Sequence, residues 1–287
     1  MYSLIKKMIT TFLPIPCQSA GVKKYVMSLA RDSVGSFLAR RDPFTPPTRL
    51  MFDGPMDAAT FKANGEEYLN HFRTLGELQP HERVLDVGCG IGRKAIPLTR
   101  YLNGNGTYDG FDIVKVGIDW CKEVISTKHH NFHFQLIDVF NKAYNPKGRY
   151  SASEYRFPFD DGSFDLVVVT SVFTHMLSED MENYFSEIAR VMKVNGRCLI
   201  SFLLSNKESF ELITAKRSTL DFAHATEKYR AAHDRLQERA VCYEEPYVLS
   251  LYEKYGLNIN QPIHYGSWCG RQDFLSYDDL IVARKGK

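Results

Sequence analysis

The chain has 287 residues, of which 44% belong to the apolar set and 24% are charged. This balance is typical of one globular domain with additions, or of two small domains, and it excludes a disordered chain, a collagen and a coiled coil. The 36 basic and 34 acidic side chains nearly cancel, so no broad electrostatic field directs the protein to nucleic acid or to an anionic membrane.

The sequence contains no stretch of about 18 consecutive apolar residues, the length that a membrane-spanning helix requires. Residues 6–13 resemble the start of a signal peptide, but Pro14 and Pro16 interrupt the apolar part and no small-residue cleavage site follows. The six cysteines lack the C-x-x-C spacing of zinc sites and do not suggest a disulfide framework. We therefore expect a cytoplasmic protein without a membrane partner.

Periodicity divides the chain into an N-terminal cap and an α/β domain. Residues 1–80 carry helical patterns and predict a helical cap, in which one face holds Val22, Val26, Leu29 and Phe37. After residue 80, short apolar runs alternate with helix-length amphipathic segments, which is typical of βαβ units. The runs predict five parallel strands, at 83–87, 107–111, 132–137, 164–170 and 197–203.

The C-terminal part predicts two helical segments and two more strands. Residues 205–243 are polar and mixed in charge, and we interpret them as a helical lid inserted in a domain over 81–287. A further helix is predicted at 246–254, followed by strands at 257–265 and 274–283. These strands are expected to form an antiparallel edge, which gives a mostly parallel seven-stranded sheet with an antiparallel C-terminal strand.

A glycine-rich turn is the strongest local signal. Residues 84–93 read V-L-D-V-G-C-G-I-G-R, an apolar strand that leads through three glycines into a helix. Glycines permit close backbone approach, and the free N–H groups of a helix start favour a negatively polarised ligand. A dinucleotide fingerprint would place its third glycine at position 93, where Arg93 stands, so the loop is of a different type.

Two carboxylates restrict the chemical class of the ligand that the loop can bind. Asp86 precedes the loop, where it would repel a pyrophosphate but suits an ammonium group. Asp112 ends the second strand, where a carboxylate suits a ribose diol. A nucleoside that carries an amino acid fits both, and the ligand implied is S-adenosylmethionine.

Four motifs in order resemble those of class I S-adenosylmethionine-dependent methyltransferases, over roughly residues 80–205. They are D-V-G-C-G-I-G at 86–92, F-D-I at 111–113, I-D-V at 137–139 and F-P-F-D-D-G-S-F-D at 157–165. The resemblance implies a Rossmann-like methyltransferase fold and S-adenosyl-L-methionine as cofactor. The cofactor-binding residues that it implies are Asp86, Gly88, Gly90, Gly92, Asp112, Ile113, Asp138, Val139, Thr170 and Ser171.

His175 is the candidate catalytic base. It follows the fourth strand, at the sheet edge where α/β proteins bind ligands, and a histidine near neutral pKa can take the proton of a hydroxyl acceptor. An equally weighted alternative is a structural histidine that caps the loop. Residues 170–173 read T-S-V-F and lack the Pro-Pro-aromatic motif of enzymes that methylate base amines or glutamine amides.

No metal is expected, because no carboxylate and asparagine cluster is recognisable and the pair His129-His130 suits a solvated turn. Nucleic acid is not expected as a partner, because acidic residues interleave with the basic ones in 205–243. The turn before the last strand combines polar and aromatic groups that suit a small acceptor. Its candidate substrate-binding residues are His264, Tyr265, Trp268 and Arg271.

These observations predict an enzyme that methylates a small or medium-sized acceptor, with a hydroxyl oxygen of a saccharide or secondary metabolite as the preferred target. The alternatives are N-methylation of a small amine, a protein or RNA acceptor, and an interaction module that binds the cofactor without turnover.

Overall fold

The computed structural model describes residues 42–52, 54, 57–218 and 220–286. The predicted helical face of Val22, Val26, Leu29 and Phe37 lies outside the described residues. In the described part of the cap, a 3-10 turn at Thr48–Leu50 precedes helix α1, Ala58–Thr74. Helix α1 is capped by Asp57, whose side chain accepts a hydrogen bond from the Thr60 backbone at 2.8 Å.

A seven-stranded sheet forms the centre of the domain. Strands are numbered in chain order, and β6 to β9 belong to a second, smaller sheet described below. The strands of the central sheet are β1, Arg83–Val87; β2, Thr107–Asp112; β3, Phe132–Leu136; β4, Phe164–Val169; β5, Met192–Phe202; β10, Leu257–His264; and β11, Asp279–Lys285. The order across the sheet is β3-β2-β1-β4-β5-β11-β10. Strands β1 to β5 pair in parallel, whereas β11 runs antiparallel to β5 and to β10. The predicted mostly parallel sheet with an antiparallel C-terminal strand is confirmed.

Helices cover both faces of this sheet. They are α1; α2, Ala95–Leu98; α3, Lys115–Cys121, extended by a π-helical turn at Lys122–Ser126; α4, Ser178–Val191; and α6, Glu245–Lys254. Helix α4 begins at Ser178, and Leu177 is its N-cap residue. None of the described helices is long and apolar enough to cross a membrane.

The alternation of side chains along the strands divides the core into two layers. In β4, Val167 and Val169 pack with the apolar stripe of α4 and with α6, whereas Leu166 and Val168 pack with α1 and α3. A strand buried on both faces reads as a continuous apolar run, which explains why the sequence predicts the central strands well.

The segment predicted as a helical lid is α-helical only at its start and contains one 3-10 turn, at Gln237–Arg239. Helix α5, Lys207–Thr214, is followed by short strands β7, His224–Ala225; β8, Tyr229–Ala231; and β9, Val241–Glu244. With β6, Leu204–Ser205, they form a small sheet in the order β6-β9-β8-β7. The helical interpretation of 215–243 is therefore wrong. Tyr229 and Tyr243 pack their rings together from adjacent strands, and this tertiary contact outweighs the polar composition of the segment.

The Asp279 carboxylate joins the small sheet to the central sheet. It is fully buried at the start of β11 and accepts hydrogen bonds from the Leu204 backbone at 2.7 Å, from the Gly266 backbone at 2.6 Å and from Trp268 Nε1 at 2.7 Å. Arg271 Nη1 lies 3.1 Å away and completes a buried ion pair. Burial raises the pKa of Asp279 to about 7, and its donors oppose that rise.

This network makes Trp268 a structural residue. We predict that Trp268→Phe lowers the free energy of unfolding by about 1.5 to 3 kcal/mol more than Trp120→Phe does, because only Trp268 donates a hydrogen bond to a buried carboxylate. Urea unfolding of both variants measures the difference. Equal losses in the two variants would show that the indole hydrogen bond contributes no stability.

Candidate active site

A cavity of about 580 Å³ opens at the carboxyl ends of β1, β2 and β4. Strand order reverses between β1 and β4, and crevices at such points are the usual ligand sites of open α/β sheets. Eight residues predicted from the sequence line this cavity, namely Gly88, Gly90, Asp112, Ile113, Val139, Thr170, Ser171 and His175. The fold therefore brings together residues from most of the predicted motifs.

The glycine loop has the backbone that its sequence predicts. Gly88, Gly90 and Gly92 all have positive φ, at 73°, 57° and 77°. A Cβ on Gly88 would lie 2.3 Å from Val172 Cγ2, and one on Gly92 would lie 2.9 Å from Cys121 Sγ. Gly88 thus permits the turn at the cavity wall, whereas Gly92 lies away from the cavity and permits close packing on α3.

Asp112 connects the end of β2 to the glycine loop. Its Oδ2 accepts a hydrogen bond from the Gly90 backbone at 2.9 Å, and its Oδ1 accepts one from the Val114 backbone at 2.7 Å. The carboxylate is only partly buried and lines the cavity beside Ile113. A fixed carboxylate in this position suits a ligand diol, as the sequence predicts.

Asp86 has a different environment from the one expected. Its side chain is fully buried and is not part of the cavity lining. Lys94 Nζ lies 2.9 Å from Oδ1, and the Tyr108 hydroxyl donates a hydrogen bond to Oδ2 at 2.7 Å. The ammonium group beside Asp86 is therefore that of Lys94, and the predicted contact with a ligand ammonium has no direct path.

Lys94 is a site residue that the sequence analysis missed. It is 6% exposed, lines the cavity and donates a hydrogen bond to Thr170 Oγ1 at 2.6 Å. The ammonium thus links the end of β1 to the loop after β4. A signal was present in the sequence, since a lysine at the buried start of a helix needs a carboxylate and Asp86 is the nearest candidate.

Asp138 points away from the cavity. Arg149 Nε donates a hydrogen bond to its carboxylate and holds the pKa of Asp138 below its usual range. The following residues, Val139 and Phe140, do line the cavity. Val139, the apolar residue of the I-D-V motif, thus lies at the cavity, whereas the Asp138 carboxylate pairs with Arg149 outside the cavity.

The loop after β4 carries a strained residue and an unexpected carboxylate. Ser171 has a positive φ of 56°, which is uncommon for a residue other than glycine and is typical of functional sites. Its hydroxyl donates a hydrogen bond to Asp278 Oδ2 at 3.2 Å. Asp278 lines the cavity and was not predicted from the sequence, because more than 100 positions separate it from Ser171.

His175 is held as one tautomer at the cavity wall. Its Nδ1 lies 3.1 Å from the Glu238 carbonyl oxygen, and a carbonyl only accepts, so Nδ1 carries the proton. Nε2 therefore carries the lone pair and lies 3.5 Å from the Tyr144 hydroxyl oxygen. Burial lowers the pKa of His175, which keeps the ring neutral near pH 7.

The remaining wall of the cavity is built by the additions to the central sheet. Tyr68 comes from α1, Tyr144 from the segment after β3, and Asp180 and Tyr184 from α4. The segment predicted as a lid contributes Leu220, His233, Arg239 and Ala240. The described residues contain no group of three histidine, cysteine, aspartate or glutamate side chains that could hold a metal ion.

The predicted substrate-binding residues do not line the cavity. Trp268 is 1% exposed and Arg271 is 5% exposed, and both contact Asp279 in the buried network between the two sheets. Tyr265 donates a hydrogen bond to Glu245 and lies under the Arg271 guanidinium. His264 ends β10 and is only partly buried. The polar and aromatic character of this turn is explained by its own packing.

Comparison with known proteins agrees with this geometry. A family model described as a methyltransferase domain matches residues 78–245. A sterol 24-C-methyltransferase of Gibberella zeae is 31% identical over 137 residues, which cover 47% of this chain and 30% of that protein. A phthiotriol/phenolphthiotriol dimycocerosates methyltransferase of Mycobacterium ulcerans is 29% identical over 164 residues, covering 55% and 53%.

The match to these curated relatives spans between 30% and 53% of their own length. The crystal structure of the PH0226 protein from Pyrococcus horikoshii has the same fold, with a TM-score of 0.56, 17% identity and coverage of 86% of this chain and 97% of that one. The family model covers more than half of the chain, and the ordered motifs surround one cavity. The chain therefore belongs to the methyltransferase domain family, and the prediction of a class I S-adenosylmethionine-dependent methyltransferase domain is confirmed.

Proposed function

We propose that the protein transfers a methyl group from S-adenosylmethionine to a hydroxyl oxygen of a small or medium-sized acceptor, such as a saccharide or a secondary metabolite. The observation that carries this proposal is His175, a neutral imidazole of fixed tautomer in the same cavity as the glycine loop and Asp112. The names of two curated relatives are those of methyltransferases for a sterol and for phthiotriol or phenolphthiotriol dimycocerosates, which supports a small-molecule acceptor.

The cavity residues fit the cofactor. Asp112 offers a fixed carboxylate to the ribose diol, while Ile113 and Val139 offer apolar surface to the adenine. Gly88, Thr170 and Ser171 lie at the end where we place the methionyl part. When bound, the cofactor supplies a methyl group on a cationic sulfur, which is an activated leaving group.

His175 would take the acceptor proton. The Glu238 carbonyl holds Nδ1–H, so the lone pair of Nε2 is the group available to a donor at the cavity wall. The Tyr144 hydroxyl lies near Nε2, and an acceptor hydroxyl would bind at this position or next to it. When the acceptor oxygen takes the methyl group that the cofactor would supply, Nε2 would accept the hydroxyl proton and the neutral thioether would leave.

N-methylation of a small amine is the second candidate function. The observation that favours it is the pair of carboxylates, Asp180 and Asp278, in the cavity wall. Burial raises the pKa of both, so a cationic amine would compensate the charge that burial disfavours. A protonated amine held by these carboxylates must lose its proton before its nitrogen can accept the methyl group, whereas an amine that arrives neutral would need no dedicated base.

We also propose that the chain consists of a cap over 1–80 and a methyltransferase domain over 81–287 with a lid segment inserted at 205–243, and that the cap and this segment form the acceptor side of the cavity. Tyr68 in α1 and Arg239 before β9 both line the cavity, which supports this division.

A titration followed by an acceptor screen tests the function. The folded protein should bind S-adenosylmethionine and S-adenosylhomocysteine in the micromolar range by calorimetry, and release of S-adenosylhomocysteine should identify acceptors among panels of hydroxylated compounds and amines. Turnover confined to amines would favour the second candidate. Absence of binding by folded protein would contradict the proposal.

Asp112→Ala should weaken binding of S-adenosylhomocysteine by about 1.5 to 3 kcal/mol, because the charge-assisted hydrogen bonds to the ribose are lost. Calorimetric titration measures the change. Asp119→Ala is the matched control, since Asp119 is an exposed aspartate on α3 whose side chain pairs with Lys115. Equal affinities in the two variants would contradict the ribose assignment.

His175→Ala should lower turnover on a hydroxyl acceptor by about 10² or more and leave cofactor affinity nearly unchanged. His133→Ala is the control, because His133 is an exposed histidine on β3. A near-normal rate in His175→Ala would leave His175 with a structural role only.

The pH profile of the wild-type enzyme gives a second readout of His175. An imidazole must be neutral to accept a proton. Burial lowers the pKa of the His175 imidazole from the ordinary value of 6.5. The rate should therefore fall towards acid pH as the imidazole becomes protonated, with the midpoint of the fall below pH 6.5.

A further inference from the structure

Asp278 lies at the point where three strands end. Strand β11 runs antiparallel to β5, so its first residues reach the same sheet edge as the carboxyl ends of β4 and β5. Asp278 immediately precedes β11, and its neighbour Asp279 pairs with Phe202 at the end of β5. The carboxylate is 6% exposed, and the little surface it has belongs to the cavity.

Two serines fix this carboxylate. Ser201 Oγ donates a hydrogen bond to Asp278 Oδ2 at 2.9 Å, and Ser171 Oγ donates one to the same oxygen at 3.2 Å. Ser201 Oγ also accepts a hydrogen bond from the Ser171 backbone at 2.8 Å, which helps to hold Ser171 in its left-handed conformation. The strained residue and the carboxylate thus form one preorganised unit.

The charge of Asp278 is not balanced by the protein. In the part of the chain that the structure describes, no lysine, arginine or histidine side chain lies within ion-pair distance of it, and its recorded partners are the two hydroxyls. The other two buried aspartates of this edge differ, because Lys94 pairs with Asp86 and Arg271 pairs with Asp279. A buried carboxylate without a cation is costly, and a bound cation would repay that cost.

We propose that Asp278 faces the cationic centre at the point of methyl transfer and gives the site a preference for a positively charged cofactor over the neutral thioether product. The inference rests on the proposed function, which places the methionyl part of the cofactor beside Thr170 and Ser171. Asp278 is one hydrogen bond from Ser171 and opens into the same cavity, so its charge acts on a ligand at that position. Loss of the positive charge on transfer would weaken this attraction and favour release of the product.

Sinefungin and S-adenosylhomocysteine are the probes that test the proposal without an acceptor. Sinefungin carries an amine, protonated at neutral pH, where the cofactor carries its transferable methyl group, whereas S-adenosylhomocysteine is neutral at that position. Calorimetric titration at pH 7.5 should show that the wild-type protein binds sinefungin more tightly. Asp278→Asn should reduce this preference by about tenfold or more while affinity for S-adenosylhomocysteine changes little.

Asp273→Asn is the matched control, because Asp273 is an exposed aspartate on the same loop. It should retain the wild-type preference. Thermal melts check that the variants are folded, and Asp278→Ser provides a second neutral side chain if Asp278→Asn is unstable.

The other outcomes distinguish a failure of the role proposed for Asp278 from a failure of the proposed function. Equal binding of both probes by the wild type, or an equal loss for both probes in Asp278→Asn, would overturn the role of Asp278 and leave the proposed function intact. Failure of the folded wild type to bind either probe would overturn the proposed function and this inference with it.

Discussion

The buried ion pair between Lys94 and Asp86 is the interaction on which the geometry of the site depends. Asp86 ends β1 with no exposed surface, and a carboxylate in that position costs several kcal/mol unless a cation pairs with it. The same Lys94 ammonium donates to Thr170, so one charge joins the ends of β1 and β4 where strand order reverses. Lys94 therefore links the strand that leads into the glycine loop to the loop after β4, and the cavity lies between these two loops.

The part of the cavity proposed to bind the acceptor is built from segments outside the central sheet that meet at His175. Its ring donates to the Glu238 carbonyl, and its backbone carbonyl accepts a hydrogen bond from Asn141 Nδ2 at 2.9 Å. Asn141 belongs to the segment after β3, and Glu238 belongs to the segment before β9. Because both segments lie outside the repeated βαβ pattern, they can change without disturbing the sheet. In the proposed function, their hydrogen bonds to His175 would couple the acceptor-binding segments to the position of this imidazole.

Much of the fold follows from local sequence, and the failures have physical causes. Strand β4 is buried on both faces and reads as an apolar run, whereas β2 mixes buried and half-buried residues and Asp112 is recognisable because it ends this predicted strand. The helical interpretation of 215–243 failed because β7, β8 and β9 are only 2, 3 and 4 residues long, too short to show a strand pattern, and because β9 also pairs with the distant strand β6. Lys94 and Asp278 were missed for a related reason, since their importance lies in contacts with Thr170 and Ser171 across 76 and 107 positions. Trp268 and Arg271 have the residue types of a binding site, but the buried Asp279 accounts for both.

Three buried aspartates lie at one edge of the sheet, and they differ in whether a cation of the protein pairs with them. Asp86 and Asp279 each have a cation of the protein beside them, and they hold the glycine loop and the small sheet in place. Asp278 has two hydroxyls instead, so part of its desolvation cost remains in the unliganded protein. A ligand that supplies the missing positive charge recovers that free energy as binding energy, and it stabilises the folded state by mass action. The buried carboxylate without a cation of the described chain beside it thus lines the cavity where the proposed ligand would bind, whereas the two aspartates paired with cations support the surrounding structure.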